Sequence, residues 1–170
     1  KDQPSRAEKI YELRVDPIYS RNSAWYEIFP RSQGTIPNQS ATWDDCRNRL
    51  DDICGMGFDV LYLTPIHPIG ETNKKGKNNS LTSTPEDPGS PYAVGNTRKG
   101  WGDGGSKDLE RSLGTWEQFR SFMKDAKGRG LQMALDIALN CSPDHPHVQS
   151  HPEWFFHEED GTIKFAENPP

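Results

Sequence analysis

A lysine-rich loop is the first stretch of this sequence whose residue types could bind a ligand. The lysine loop, Thr72 to Ser80 with the sequence TNKKGKNNS, combines three lysines, a glycine and several asparagines. A lysine held by a glycine-containing loop, with amides beside it, is suited to binding a phosphate. A solvated surface tip is the competing interpretation, because runs of charge usually face water.

Polar side chains also interrupt an apolar segment near the end of the chain. In LQMALDIAL, residues 131–139, strand alternation would place Asp136, Ala138 and Asn140 on one face. Parallel strands are normally apolar on both faces, so this polar line predicts the wall of a site. A structural hydrogen-bond network is the alternative.

The histidine loop, residues 142–152 with the sequence SPDHPHVQSHP, contains Asp144 and three histidines. It resembles a metal cluster by count, but the histidines are expected on a loop broken by prolines, and no helix is expected to present two of them at positions i and i+4. We therefore predict no metal site.

Tyr92, between Pro91 and Gly95, is expected to be a platform for a ligand. No nucleotide-binding or zinc-hydrolase motif is present, and no cofactor is expected.

The periodicity of apolar residues predicts the elements that must position these side chains. Strands are expected near residues 24–30, 58–65 and 131–139. One helix is expected to begin at an N-cap, Thr42, and to continue to Cys54, and a second begins with a capping box of Thr115 and Gln118. The inner face of the second helix would be Phe119, Phe122, Met123 and Ala126. Strands alternating with helices predict a parallel sheet with crossover helices, as in an α/β barrel or an open α/β sheet.

Two long loops follow predicted strands. The insert, residues 66–114, is far longer than the usual loop in such folds, which has about 2–6 residues. The other loop begins at Cys141 and includes a predicted hairpin at Asp160 and Gly161. Enzymes with parallel sheets build their sites at the carboxyl ends of strands, so the lysine loop is predicted to lie on the active face. Residues 1–22 are expected to be a lead-in segment.

Composition excludes some partners. The net charge of −5 provides no basic face for a nucleic acid or an anionic membrane. No apolar run approaches the roughly 18 residues that a membrane span needs, and a cytoplasmic protein is expected. The three cysteines, Cys46, Cys54 and Cys141, have no CxxC spacing and are expected to be reduced.

Several motifs together resemble a known enzyme family. GFDVLYLTPIHPIG, LGTWEQF and LDIALNCSPDHP resemble the opening of the catalytic barrel of glycoside hydrolase family 13, the α-amylase family. AWYEIFPRS, IHPIGETNKKGKNN, PGSPYAVG and DGTIKFAENPP are similar to the bacterial branch that transfers maltosyl units from α-maltose 1-phosphate to α-1,4-glucans such as glycogen. The resemblance runs from about Ala24 to Pro170. It implies an α/β fold, the amino-terminal portion of a TIM (β/α)8 barrel with about three β/α units and a long insert after strand 2.

The resemblance also implies which residues bind the substrate. The residues expected to do so are Lys75, Asn79, Tyr92, Asp136, Asn140 and Asn168. Lys75, Asn79 and Asn168 would line the donor site, and Tyr92 would stack on the sugar beside the bond that is cleaved. Asn140 stands where the family usually has Gln, which shortens that contact by one methylene. The implied partners are α-maltose 1-phosphate and α-1,4-glucan, and a homodimer of the complete protein is compatible with the resemblance.

The catalytic residues implied by the resemblance are absent from these 170 residues. In such retaining enzymes an Asp on the fourth strand is the nucleophile and a Glu on the fifth is the acid/base. Both are expected beyond Pro170, so this chain alone is predicted to be inactive. Two alternatives stay open: part of an α-amylase or trehalose-synthase-type glycosidase, in which the lysine loop is a solvated tip, and a stand-alone carbohydrate-binding module.

Overall fold

A computed structural model of the protein describes residues 9–98 and 102–164. Its strands are β1 (Trp25–Ile28), β2 (Val60–Leu63) and β3 (Gln132–Leu135). They form one sheet in the order β1-β2-β3, and both pairs are parallel. The parallel sheet that the order of elements predicted is therefore confirmed.

All three strands are shorter than the sequence predicted. Pro30 opens a 3-10 turn (Pro30–Ser32) soon after β1, and Pro65 follows β2 by two residues. Proline lacks the N–H that a sheet ladder needs. Beyond β3 one further ladder bond forms, from the Asp136 N–H to the Leu63 carbonyl (3.0 Å). Within the described residues no strand pairs with the other edge of β3, so residues 136–139 do not prolong the ladder.

The first predicted helix is two helices, α1 (Trp43–Arg47) and α2 (Leu50–Gly55). The N–H groups of Asn48 and Arg49 bond to carbonyls three residues earlier (3.2 and 3.1 Å), which tightens the turn between the two helices. The predicted cap is confirmed: Thr42 accepts from the Asp45 N–H, and the Asp45 carboxylate accepts from the Thr42 N–H (2.7 Å).

The next helix, α3 (Trp116–Gly128), begins with the predicted capping box of Thr115 and Gln118. Its buried face packs on Trp43, whose ring lies 4.7 Å from that of Phe119 and 5.5 Å from that of Phe122, centroid to centroid. Trp43 is fully buried. The helix-facing side of the sheet completes this core with Ile28, Leu61 and Leu63.

The loops contain short helical turns. These are the 3-10 turns Ile18–Ser20, Lys77–Asn79, Arg111–Leu113 and Pro152–Trp154, and the helix α4 (Pro146–Ser150). The predicted hairpin is confirmed by an antiparallel bridge between His157 and Ile163, with Gly161 in the left-handed region (φ 84°). In the described parts of the chain, every helix is too short or too polar to cross a bilayer.

The free edge of β3 leads to our first prediction. Ile137 is 76% exposed and Leu139 is 90% exposed, and the sheet edge beside them lacks a partner within the described residues. Unpaired edges and exposed apolar side chains promote association. We expect the 170-residue chain alone to self-associate at micromolar concentrations, and Ile137→Lys with Leu139→Lys to shift it toward monomer in sedimentation velocity.

Met56→Lys provides the control, because Met56 is 54% exposed at the end of α2, away from the edge of β3. It should leave association unchanged. A dilute wild-type monomer with a sharp, cooperative melt would contradict the prediction.

Candidate functional site

One face of the sheet is covered by helices and the other is partly open. Tyr26, Leu61 and Met133 are neighbours across the strands and belong to, or pack against, the buried core. The next row, Glu27, Tyr62 and Ala134, points to the opposite side because side chains alternate along a strand. We call the side chains of Trp25, Glu27, Tyr62, Ala134 and Asp136 the open face. A shallow cavity of about 310 Å³ is lined there by Trp25, Glu27 and Tyr62.

Two phenols and two carboxylates interact on this open face. A hydrogen bond to Asp136 is the main cause that raises the pKa of Tyr62 to about 12, with partial burial and the charge of Asp136 adding to it. Partial burial and the charges of Asp136 and Glu27 also raise the pKa of Tyr92. The structure thus brings two predicted site residues, Tyr92 and Asp136, together with Tyr62 and Glu27.

Sequence reasoning missed Glu27 and Tyr62, although a signal was available. Glu27 is a charged residue within a short apolar strand, which is the same anomaly that identified Asp136. Tyr62 has no such mark, since a tyrosine is common in strands. Only the register, which pairs Tyr62 with Glu27 and with Ala134, shows that its hydroxyl faces the carboxylates.

A parallel bridge joins the part of the insert that contains Tyr92 to the segment after β3. Val94 pairs with Cys141, and the Ser142 N–H donates to the Val94 carbonyl (2.7 Å). Val94 also pairs with Ile69 in an antiparallel bridge. Through these bonds the insert lies against the histidine loop, and the ring of Tyr92 comes within reach of Asp136.

The lysine loop holds its three ammonium groups differently. Lys74 donates to the Pro85 carbonyl (3.2 Å). Bonds from Thr84 chiefly lower the pKa of Asp87, and the charges of Lys77 and Lys74 lower it further, so both lysines face that carboxylate. Among the described residues, Lys75 has no hydrogen bond or ion pair. Lys75 is therefore the lysine of this loop whose charge is available to a ligand.

Backbone constraints give the lysine loop its shape. Asn73, Asn78 and Asn79 have positive φ angles of 56°, 53° and 61°, a conformation that asparagine tolerates better than most residues. A Cβ on Gly76 would lie 2.1 Å from the Thr82 carbonyl oxygen. The glycine is thus required by a close approach of two chain segments.

The remaining predicted residues stay predictions. Asn79 is exposed at the end of the turn Lys77–Asn79. Asn140 is exposed in the bend after β3. Asn168 lies outside the described residues.

The histidines of the histidine loop bond and stack with neighbouring groups of the chain. His145 is buried, and its Nδ1 accepts from the His147 N–H (3.1 Å). Burial, followed by the nearby His147, lowers the pKa of His145. The ring of His151 stacks on Trp154 with centroids 4.0 Å apart. Across residues 9–98 and 102–164, no group of three or more His, Cys, Asp or Glu could hold a metal ion.

A larger cavity, of about 910 Å³, lies between residues 29–40 and the later part of the insert. Lys77 and Asp87 lie on its wall, and so does Arg31, whose guanidinium donates to the carbonyls of Pro88 and Gly89 (3.2 Å each). Lys75, Tyr92 and Asp136 are not among its lining residues. This cavity is therefore separate from the open face.

The chemistry of the open face suits a neutral, hydroxyl-rich ligand. Carboxylates accept hydrogen bonds from hydroxyls, and aromatic rings present flat apolar surfaces. Elsewhere in the insert, Lys75 has no hydrogen bond or ion pair within the described residues, and its ammonium group can bind an anionic group.

The contact between Tyr62 and Asp136 gives a prediction. Asp136→Asn should lower the pKa of Tyr62 from about 12 toward its ordinary value of 10.0, because the phenol loses its hydrogen bond to a carboxylate and, with it, the nearby negative charge. Because the Tyr62 pKa is higher in the folded state, the neutral phenol stabilises the fold. This stabilisation is complete below pH 10 and is lost as the pH rises through the pKa of the folded state, about 12. Ring-labelled tyrosine NMR against pH measures the shift. Glu27→Gln should cause a smaller fall, since the charge of Glu27 raises the Tyr62 pKa less than Asp136 does. An unchanged Tyr62 pKa in Asp136→Asn would refute the contact.

Comparison with known proteins places these features in context. No protein-family model matches the chain. It is 50% identical over 163 residues (96% of the chain) to the α-1,4-glucan:maltose-1-phosphate maltosyltransferase of Chlorobaculum tepidum, and 53% identical over 156 residues (92% of the chain) to that of Rhodospirillum rubrum. The matches span 24% and 22% of those proteins, so the chain covers about a quarter of their length.

Solved structures agree with this relationship. An α-amylase from Lactobacillus plantarum aligns with 86% of the chain and 30% of its own length, at 32% identity and a TM-score of 0.65. A maltogenic α-amylase from Thermotoga neapolitana aligns with 87% of the chain and 30% of its own length, at 27% identity and the same TM-score. The chain is therefore homologous to one segment of the maltosyltransferases, and its fold is similar to that of part of the two α-amylases.

Proposed function

We propose that this chain is part of an enzyme that moves maltosyl units from α-maltose 1-phosphate to an α-1,4-glucan, with retention of configuration. The observation that carries the proposal is identity of about half the residues across nearly the whole chain with proteins named for that activity. The matched 163 residues are too many to leave out the insert or the histidine loop. The named activity of those relatives depends on a phosphate donor, and a lysine of the insert that has no hydrogen bond or ion pair within the described residues, Lys75, is consistent with it.

The finer architecture belongs to the same proposal. Residues 23–170 would form about three β/α units of a (β/α)8 barrel, with the insert 66–114 after strand 2, and residues 1–22 would lead into it. The open face would then be part of the barrel interior. In barrel enzymes the site lies at the carboxyl ends of the strands, where the insert and the histidine loop leave β2 and β3.

Each site residue has a role in this proposal. Tyr92 stacks on the sugar, and Asp136, fixed by Tyr62, accepts hydrogen bonds from its hydroxyls. Lys75 binds the phosphate, Asn79 orients it, and Asn140 and Asn168 line the donor pocket. The nucleophilic Asp and the acid/base Glu come from the fourth and fifth strands of the complete enzyme, so the chain supplies binding walls and no catalytic carboxylate.

Location and assembly complete the proposal. All three cysteines are free thiols, which agrees with a reducing compartment such as the cytoplasm. A homodimer of the complete protein is the assembly we propose. The net charge of −5 supports neither a nucleic-acid partner nor an anionic membrane surface.

A glycosidase is the second candidate, because the two structural relatives named above are α-amylases. The choice of donor separates the two. Release of inorganic phosphate from α-maltose 1-phosphate in the presence of glycogen supports the transferase. Hydrolysis of starch without use of the phosphate donor supports the glycosidase.

Lys75→Ala is the test of the phosphate role in the complete protein. A hydrogen bond to a charged group contributes roughly 1.5–3 kcal/mol, and removing it should lower kcat/KM for α-maltose 1-phosphate by about 10- to 150-fold. Lys77→Ala is the matched control, since Lys77 faces Asp87 and lines a different cavity. Its effect should be much smaller.

Maltosyl fluoride, whose leaving group is small, provides a second control. Its kcat/KM should fall much less in Lys75→Ala than that of the phosphate donor. An equal loss with both donors would mean that Lys75 supports the loop, and the interpretation of the lysine loop as a solvated tip would be preferred.

A further inference from the structure

One carboxylate of the histidine loop holds the beginning of the lysine loop. Asp144 Oδ2 accepts from the N–H groups of Glu71 and Thr72, at 2.7 and 2.8 Å, and its Oδ1 accepts from the Thr72 hydroxyl at 2.6 Å. These three bonds join residues more than seventy positions apart in the chain. They are short, as expected for hydrogen bonds to an ionised acceptor.

The segment held in this way is the turn that leads into Lys75. The Lys74 N–H donates to the Glu71 carbonyl (3.2 Å), and Asn73 has a φ of 56°. Lys75 follows the last residue of this turn. Rotation of the Glu71–Thr72 peptide would therefore carry Lys75 with it.

Asp144 is itself fixed by buried neighbours. Its N–H donates to Ser142 Oγ (3.0 Å), and Ser142 is 2% exposed. Gly70 lies against that hydroxyl so closely that a Cβ on it would be 1.8 Å from Oγ. The Ser142 N–H in turn bonds to Val94. Asp144 is thus attached, through Ser142, to the contact with Val94 that also positions Tyr92.

Hydrogen bonds and a nearby positive charge favour the ionised form of Asp144. Burial alone would raise the pKa of this carboxyl, but the Thr72 hydroxyl, the Thr72 and Glu71 N–H groups and the charge of Arg98 outweigh it and lower the pKa. The group is therefore an acceptor at neutral pH, matched to three donors.

We propose that Asp144 is a positioning residue for Lys75: its carboxylate couples the histidine loop to the lysine loop and sets the direction from which the Lys75 ammonium meets the donor phosphate. The inference rests on the proposed function. Asp144 does not touch the donor, and it acts through the turn at Glu71–Lys74.

The experiment uses Asp144→Asn in the complete protein with two donors. The amide keeps the size of the side chain and loses the charge. We expect kcat/KM for α-maltose 1-phosphate to fall about 10-fold and kcat/KM for maltosyl fluoride to change by less than about twofold. In the Lys75→Ala background the same change should have almost no further effect on the phosphate donor, because residues that act through one another are not additive.

Asp160→Asn is the matched control. Asp160 Oδ1 accepts from the Thr162 N–H (2.9 Å) and from the Thr162 hydroxyl (2.6 Å), which is the same chemistry in a distant hairpin. It should leave the ratio of the two donors unchanged. Thr72→Val is a milder second variant if Asp144→Asn folds poorly, since it removes one of three bonds. Its effect should have the same sign and be smaller.

Amide hydrogen exchange provides a readout that does not depend on activity. In Asp144→Asn, the amides of Glu71 and Thr72 should exchange about 10-fold faster, while those of β2 stay protected. Any of three results would overturn the proposal: unchanged exchange rates at both amides, an equal loss of kcat/KM with both donors, or an effect on kcat/KM that adds to that of Lys75→Ala. If the wild-type enzyme releases no phosphate from α-maltose 1-phosphate, the proposed function fails and the role of Lys75 with it. The exchange rates then still decide separately whether Asp144 holds the turn.

Discussion

Burial of only one face of a parallel sheet is the constraint on which the rest of this structure depends. Trp43, Phe119 and Phe122 pack together above the sheet, and Leu61 and Leu63 of the central strand complete the same core. Once that face is covered, alternation along the strands places Glu27 and Tyr62 on the other side. Polar groups can remain there because the core does not need that face.

Parallel strands also fix where the loops must meet. Their carboxyl ends lie at one edge of the sheet, so the insert after β2 and the histidine loop after β3 start as neighbours. Long loops carry many backbone polar groups that need partners when they pack. Here the partners are side chains of the loops themselves: the buried Asn96 donates to the Ile69 carbonyl (2.9 Å), and the buried Asp108 accepts from the Gly102 N–H (3.0 Å). Asp144 does the same, because its carboxylate accepts from the backbone N–H groups of Glu71 and Thr72 and thereby fixes the conformation of that irregular segment.

The charges of the site are divided between two places. The open face has carboxylates next to two phenols whose pKa values are raised, so it presents carboxylate oxygens beside neutral hydroxyls. The cations lie in the lysine loop, where Lys74 and Lys77 lie near acceptor groups and Lys75 has no partner in the described parts of the chain. A ligand that is neutral at one end and anionic at the other matches this division. A sugar phosphate has that form.

The sequence by itself determined what depends on near neighbours. The N-cap at Thr42 and the capping box at Thr115 were predictable because each involves residues close in the chain, and the buried stripe of α3 was predictable from helical period. The polar anomaly at Asp136 and the cluster of lysines at 74–77 were visible for the same reason. Tertiary structure decided the rest. The break between α1 and α2 depends on bonds to carbonyls three residues back, which the apolar pattern does not encode. Strand register places Tyr62 on the open face, and loop packing brings Asp144 into contact with Thr72, 72 residues away in the chain. Pairing between such distant segments is set by how the whole sheet and its loops pack.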